Sequence, residues 1–325
     1  LYINDQIAEI EALDSLAYTL KYESEDLHNI NIHGSFESTV NYPLAKTALS
    51  IILNCPLINY LALTDSKLGG EAIDHLVRLL DSNKTLKQLD LSNNYIGDDG
   101  MRGICDHLKS NRTITTVNFN NNNLRSNAGF YLGDLFLKND IIEEISLEKN
   151  NINDIGLSSF MLILANSNKV LRSLNIASNG LWEDDFIPIS QVINQNQTIN
   201  YLNISRNMID LKSANYIGNA LKYSRIDVLI MKDVNLNEES FPPLIKYLNE
   251  SRLKELYLDF NPIGDVVVLC ANMLKNNNTL RVLSLKRCCI NSLTLMCFSK
   301  SLEMNNVLES LNLEDNEFEE QALLD

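Results

Sequence analysis

Basic residues, tryptophan, histidine and long apolar runs are all scarce in this chain of 325 residues. Lys and Arg number 27 against 42 Asp and Glu, a formal net charge of −15. A field of that sign repels a phosphate backbone, which argues against nucleic acid, and it favours a partner with a basic or mixed-charge surface. No run of five or six like charges marks a solvated tail. The longest apolar runs, Ala48 to Leu53 and Phe160 to Ala165, fall far short of the ~18 residues of a membrane span. The chain opens at Leu1 without a basic-then-apolar leader, and the missing initiator Met leads us to expect a piece of a longer protein.

The motifs of chemistry are missing too. The six cysteines are Cys55, Cys105, Cys270, Cys288, Cys289 and Cys297; none forms C-x-x-C, and they read as reduced, buried thiols of an intracellular, cytoplasmic protein. The histidines His28, His33, His75 and His107 sit in no zinc motif. His75 and His107, beside Asp74 and Asp106, read as solvated helix faces. The acidic pairs Asp98, Asp99 and Asp184, Asp185 fall at helix starts, where negative charge is favourable, and offer too few oxygens for calcium. Adjacent Cys288 and Cys289 have no flanking base and read as structural thiols. There is no phosphate-binding glycine loop and no nucleophile elbow. The expectation is therefore no catalytic residue, no cofactor and no metal. The N-x-S/T triplets at Asn83, Asn111 and Asn203 are what chance gives in an Asn-rich chain.

What the chain has is repetition. Apolar residues and an Asn recur as Leu86, Leu89, Leu91, Asn94, Ile96. The same order begins at Ile58, Ile114, Ile142, Leu171, Ile199, Ile226, Leu253, Leu280 and Leu308, with steps of 27, 28 or 29 residues. Alternation in Leu86-x-x-Leu89-x-Leu91 suits a short strand with one buried face. The Asn side chain that follows can bond backbone groups left over by sheet and helix, and stacked copies would form a ladder. Ser66, Val234 and Cys288 occupy that position in three copies; Val234 cannot bond this way, so its turn should differ locally.

The second half of each copy reads as a helix, with Gly100, Ile104 and Leu108, then Ala128, Leu132 and Phe136, then Gly156, Phe160 and Leu164 four residues apart on one face. The small first residue lets the helix approach the strand layer. A second Asn row (Asn83, Asn111, Asn139, Asn168, Asn196, Asn277, Asn305) closes helices in the left-handed conformation that Asn tolerates. Pro188, Pro242 and Pro243 fall near helix starts.

This pattern resembles the leucine-rich-repeat superfamily, and its length and helical second half look most like the intracellular ribonuclease-inhibitor subtype. The resemblance covers roughly residues 27–325. It implies an α/β solenoid: a right-handed horseshoe with parallel strands on the concave face and helices on the convex face. Residues 1–50, with a degenerate strand around Leu27, Ile30 and Ile32 and a helix from Pro43 to Leu53, are expected to be an N-terminal cap. About ten repeats fill 51–325, and the pattern still running at Asp325 leads us to expect more chain beyond it.

Residues between the core leucines should face the hollow side. In the first half these are polar or small: Thr116, Asn118, Asn120, Glu144, Ser146, Glu148, Ser173, Asn175, Ala177. From Ile199 onward they include Tyr201, Val228, Ile230, Tyr257 and Val282, with Arg206, Lys232, Asp259, Phe260, Lys286 and Arg287 around them. Exposed apolar side chains ringed by charge match the centre of a protein interface. A one-residue slip would instead turn Val228 and Ile230 inward. Trp182, the single tryptophan, reads either as a rim anchor for a partner or as packing against its own repeat's helix, the second being the plainer expectation.

The functional expectation is a monomeric protein-interaction scaffold without catalysis, binding a protein partner and neither nucleic acid nor membrane. Other readings are a regulator of a GTPase in trans, resembling Ran GTPase-activating proteins but without their long acidic tail, and an inhibitor resembling the ribonuclease inhibitor but without its inner-face Cys and Trp. The Asn- and Ile-rich composition also fits a bacterial effector acting in the host cytosol.

Overall fold

The apolar alternation produces strands of three to five residues, and the computed structural model describes residues 2–4, 28–33 and 57–318. The chain divides into two units, Leu1–Phe160 and Met161–Asp325.

In the first unit the strands are β1 (Tyr2–Asn4), β2 (Asn29–His33), β3 (Tyr60–Thr64), β4 (Gln88–Asp90), β5 (Thr116–Asn118) and β6 (Glu144–Ser146). Each pairs in parallel with the next. The strand expected around Ile30 and Ile32 is β2, and both side chains are buried. β1 pairs Tyr2 with Asn31 and was not anticipated from sequence. Leu27 and the helix expected from Pro43 to Leu53 lie outside the described residues. Helices α1 (Gly70–Ser82), α2 (Gly97–Leu108) and α3 (Ser126–Lys138) follow β3, β4 and β5. The unit boundary falls within α4 (Asp154–Asn166).

In the second unit β7 (Ser173–Asn175), β8 (Tyr201–Asn203), β9 (Val228–Ile230), β10 (Glu255–Tyr257), β11 (Val282–Ser284) and β12 (Ser310–Asn312) again pair in parallel and in sequence order. Between them come α5 (Phe186–Gln195), α6 (Leu211–Leu221), α7 (Phe241–Ile245), α8 (Val268–Leu274) and α9 (Ser292–Leu302). In each unit, then, strand and helix alternate as an α/β leucine-rich-repeat solenoid, each repeat burying its core against its neighbours.

The core is what the spacing dictates. Leu86, Leu89, Leu91 and Ile96 are buried with Met101, Ile104 and Leu108 of the helix that follows them. Phe136 and Phe160 continue that row with ring centroids 5.4 Å apart. The Asn ladder forms as expected. Asn94 Oδ1 accepts from Ser66 N at 2.9 Å and Leu68 N at 3.0 Å, while its Nδ2 donates to Leu63 O and Leu91 O. Asn207, Asn261 and Asn316 repeat this in the second unit. At Val234 a backbone carbonyl takes over, accepting from Ile209 N at 2.9 Å, which is the local difference the sequence led us to expect. Cys288 donates its thiol to Leu258 O, and burial pushes its pKa up to about 12. The proton therefore stays on the sulfur, as a structural role requires.

Four expectations need correction. Asn83, Asn139 and Asn196 end their helices in extended, not left-handed, backbone. Their side chains act instead: Asn139 Oδ1 accepts from Ile141 N and Ile142 N, and Nδ2 donates to Leu108 O of the preceding repeat. An amide that satisfies donors and acceptors on both sides needs no left-handed turn. The helical glycines meet neighbouring helices and turns more than the strand layer: a Cβ on Gly156 would lie 1.8 Å from Ser126 O, and one on Gly129 2.3 Å from Gly156 C. His107 is buried on α2, not solvated. Finally, Ala177 and Asp259, counted among the hollow-facing positions, are buried where their strands end.

Candidate functional site

β8 to β11 hold the site because register stacks equivalent positions side by side. One row across them runs Tyr201, Val228, Glu255, Val282, and the next runs Asn203, Ile230, Tyr257, Ser284. Between these rows lie Leu202, Leu229, Leu256 and Leu283, all fully buried. Successive side chains of a strand point to opposite faces. Tyr201, Val228, Ile230, Tyr257 and Val282 accordingly stand half-buried on the face away from the core. A slipped register, with Val228 and Ile230 in the interior, does not occur. Ile230 and Tyr257 are direct register partners, about 4.8 Å apart as neighbouring strands are.

A polar network edges this apolar row. Lys232 Nζ sits 2.8 Å from Asp259 Oδ2 and 5.0 Å from the centre of the Tyr257 ring. Asp259 Oδ1 accepts from Ser284 Oγ and from Lys286 N. With every oxygen occupied, Asp259 is only 4% exposed. It acts on the surface by holding Lys232 against the ring, not by reaching a partner itself. The Tyr257 hydroxyl donates to Glu255 Oε2 at 2.8 Å. Desolvation first, and that hydrogen bond second, push the phenol up to about 12. Lys286 reaches Glu314 and Asp315, whose hydrogen bonds raise its pKa and keep it charged.

Arg206, Phe260 and Arg287 belong to a different row. They occupy the turn leaving each strand, where Ser178, Arg206, Asp233, Phe260, Arg287 and Asp315 all have positive φ. In unit one the same row is Asp65, Asn93, Asn121 and Lys149. Asn and Asp suit this conformation; a bulkier side chain there costs roughly 1–2 kcal/mol. Phe260, with φ 63, is 43% exposed and lies under the Arg287 guanidinium, 5.6 Å from its ring centre. The residues singled out from sequence therefore fall into two groups: the strand-face row with Lys232, Asp259 and Lys286 at its edge, and the turn row with Arg206, Phe260 and Arg287.

Sequence reasoning passed over Glu255, which shares its offset with Tyr201 and Val228 but was hidden by a search for apolar side chains. Trp182, expected to be packed, is 54% exposed. Its backbone N–H donates to Asp185 Oδ2. Among the described residues no group of three or more His, Cys, Asp or Glu could hold a metal ion, and no helix is long and apolar enough to cross a membrane.

Comparison with known proteins agrees with this geometry. A family described as Leucine Rich repeat matches residues 82–105, the segment around β4 and α2. The mouse (Mus musculus) NACHT, LRR and PYD domains-containing protein 14 is 25% identical over 181 residues, 53% of this chain but only 18% of the mouse protein. An internalin from Listeria monocytogenes has a similar structure, with TM-score 0.55 at 14% identity, covering 97% of this chain and 92% of that one. The chain is built on the leucine-rich-repeat fold, and part of it matches the repeat's own family model. This family and fold are typically non-catalytic, and the fold supports a protein-interaction scaffold.

Proposed function

We propose that this chain is a scaffold that binds one protein partner on the strand face of its second unit, and that its own side chains catalyse nothing. The observation that carries this reading is the run of half-buried Tyr201, Val228, Ile230, Tyr257 and Val282 on four successive strands in register. All five are aliphatic or aromatic side chains held on a strand, where little rotamer freedom is lost on binding. The edge of Lys232, Lys286 and Glu255 gives a mixed-charge rim, as interfaces have. The overall charge of −15 favours a partner whose contacting surface is basic or mixed. The free thiols Cys105, Cys270 and Cys288 fit a reducing, cytoplasmic setting, and the helical repeats fit the ribonuclease-inhibitor-like subtype; we take the chain to act as a monomer.

The test is affinity capture with the chain and with a variant carrying Ile230→Asp and Tyr257→Asp. Both side chains are half-exposed, so the variant should melt within a few degrees of the parent. A protein recovered by the parent and lost from the variant is the expected result. Identical recovery from both, or recovery of nucleic acid or lipid alone, would refute the reading.

A further inference from the structure

Beside the strand face, the turns leaving β7 to β10 enclose a cleft of about 680 Å³ within the second unit. Trp182, Met208 and Phe260 line it together with Arg206, Asp233 and Asn235. Trp182 and Met208 are more than half exposed, at 54% and 57%. Large apolar side chains lining an open cleft are what a binding pocket presents. The polar groups are equally uncommitted. The Arg206 guanidinium and the Asp233 carboxylate sit in adjacent repeats at equivalent turn positions, yet neither side chain has a partner among the described residues, and neither does the Asn235 amide. Several other surface charges of this unit are paired, such as Lys212 with Asp184, Lys254 with Asp227 and Arg287 with Asp315.

We propose that this cleft is an anchor site for a polypeptide segment of a protein partner, one that inserts a single large apolar side chain and carries an acidic and a basic residue next to it. The apolar walls select the anchor. The free Arg206 and Asp233 select opposite charges on either side of it, which a uniformly anionic nucleic acid or lipid surface cannot supply. The Asn235 amide, donor and acceptor in one group, matches a peptide bond. Phe260 adds an independent observation. It holds a left-handed turn that costs an aromatic residue more than the Asn or Asp found at half of these turn positions, and it is the one aromatic residue in the row among the described residues. That cost has a reason if the ring is there to be touched. This inference stands apart from the strand-face reading: either surface can bind while the other does not.

Trp182 is the single tryptophan, so its emission reports on the cleft alone. The test selects a displayed random decapeptide library on the full chain, then titrates the selected peptides, synthesised and labelled, by anisotropy and by Trp182 emission. The expected peptides share one large apolar residue with an acidic and a basic neighbour and shift Trp182 emission. They should bind at least tenfold more weakly to Trp182→Ala and to Asp233→Lys. Phe260→Asn should lose binding similarly while its Tm stays level or rises, which a purely structural ring would not allow. Ile230→Asp should leave peptide affinity unchanged. Selected peptides that bind Trp182→Ala as tightly as the parent, a selection that yields no binder, or peptides lost from Ile230→Asp alone would overturn the proposal.

Discussion

Tyr257 draws together most of what the strand face can do: a half-buried ring, a cation over it and a hydroxyl tied to Glu255. Its phenol, pushed up to about 12, is raised above the value of about 10 for an unfolded tyrosine. The neutral form is therefore favoured by folding. Its contribution to stability is whole below pH ~10 and is lost as pH rises through about 12. Urea midpoints of the parent and of Tyr257→Phe should accordingly converge between those pH values, and the variant should lack one phenol that ionises late in an absorbance titration. Parallel midpoints would place the ring in ordinary solvent. Which of these side chains face outward was legible from the leucine alternation, because a strand allows only two faces. The fate of Asp259 was not: at the end of a strand the period of two no longer applies, and a buried carboxylate satisfied by Lys232, Ser284 and Lys286 cannot be told from an exposed one by its place in the repeat.

Among the elements, α3 and the start of α4 show how closely this chain packs its helices. Gly129 and Gly156 lie at backbone-to-backbone distance from their neighbours, with no room for a methyl group. Gly103 on α2, by contrast, faces open space. Gly156→Ala should cost about 1–3 kcal/mol through forced separation of the backbone, whereas Gly103→Ala should stabilise by about 0.5–1 kcal/mol through helix propensity. Chemical denaturation of the two variants decides this; equal effects would mean that the approach at Gly156 is not a constraint. Repeat length, strand position and the ladder Asn were all readable because each recurs. The helix-ending Asn row was visible too, but its mechanism was not. Left-handed backbone and a side chain bonding Ile141 N, Ile142 N and Leu108 O place the same residue type at the same position, and only coordinates separate them. Likewise β1, three residues long, carries too little pattern to be seen in sequence.

Among the described residues, apolar exposure on the strand face is uneven. In the first unit β5 and β6 present Thr116, Asn118, Glu144 and Ser146, with Tyr60 on β3, while β8 to β11 of the second present Tyr201, Val228, Ile230, Tyr257 and Val282. A solenoid repeats its core by necessity, but nothing in the folding of a repeat dictates what stands between the leucines. The proposed function rests on that difference, and the outward position of these side chains was readable from sequence. The rim cleft was not, because it joins residues from four separate turns. The direct test places a photo-crosslinking benzoylphenylalanine either at Tyr257 or at Phe130, an exposed aromatic residue on α3. Illumination with the captured partner should yield a covalent adduct from position 257 and none from position 130. An adduct from position 130 with none from 257 would mean that the partner docks on helices, and that the strand face of the second unit is not the binding surface.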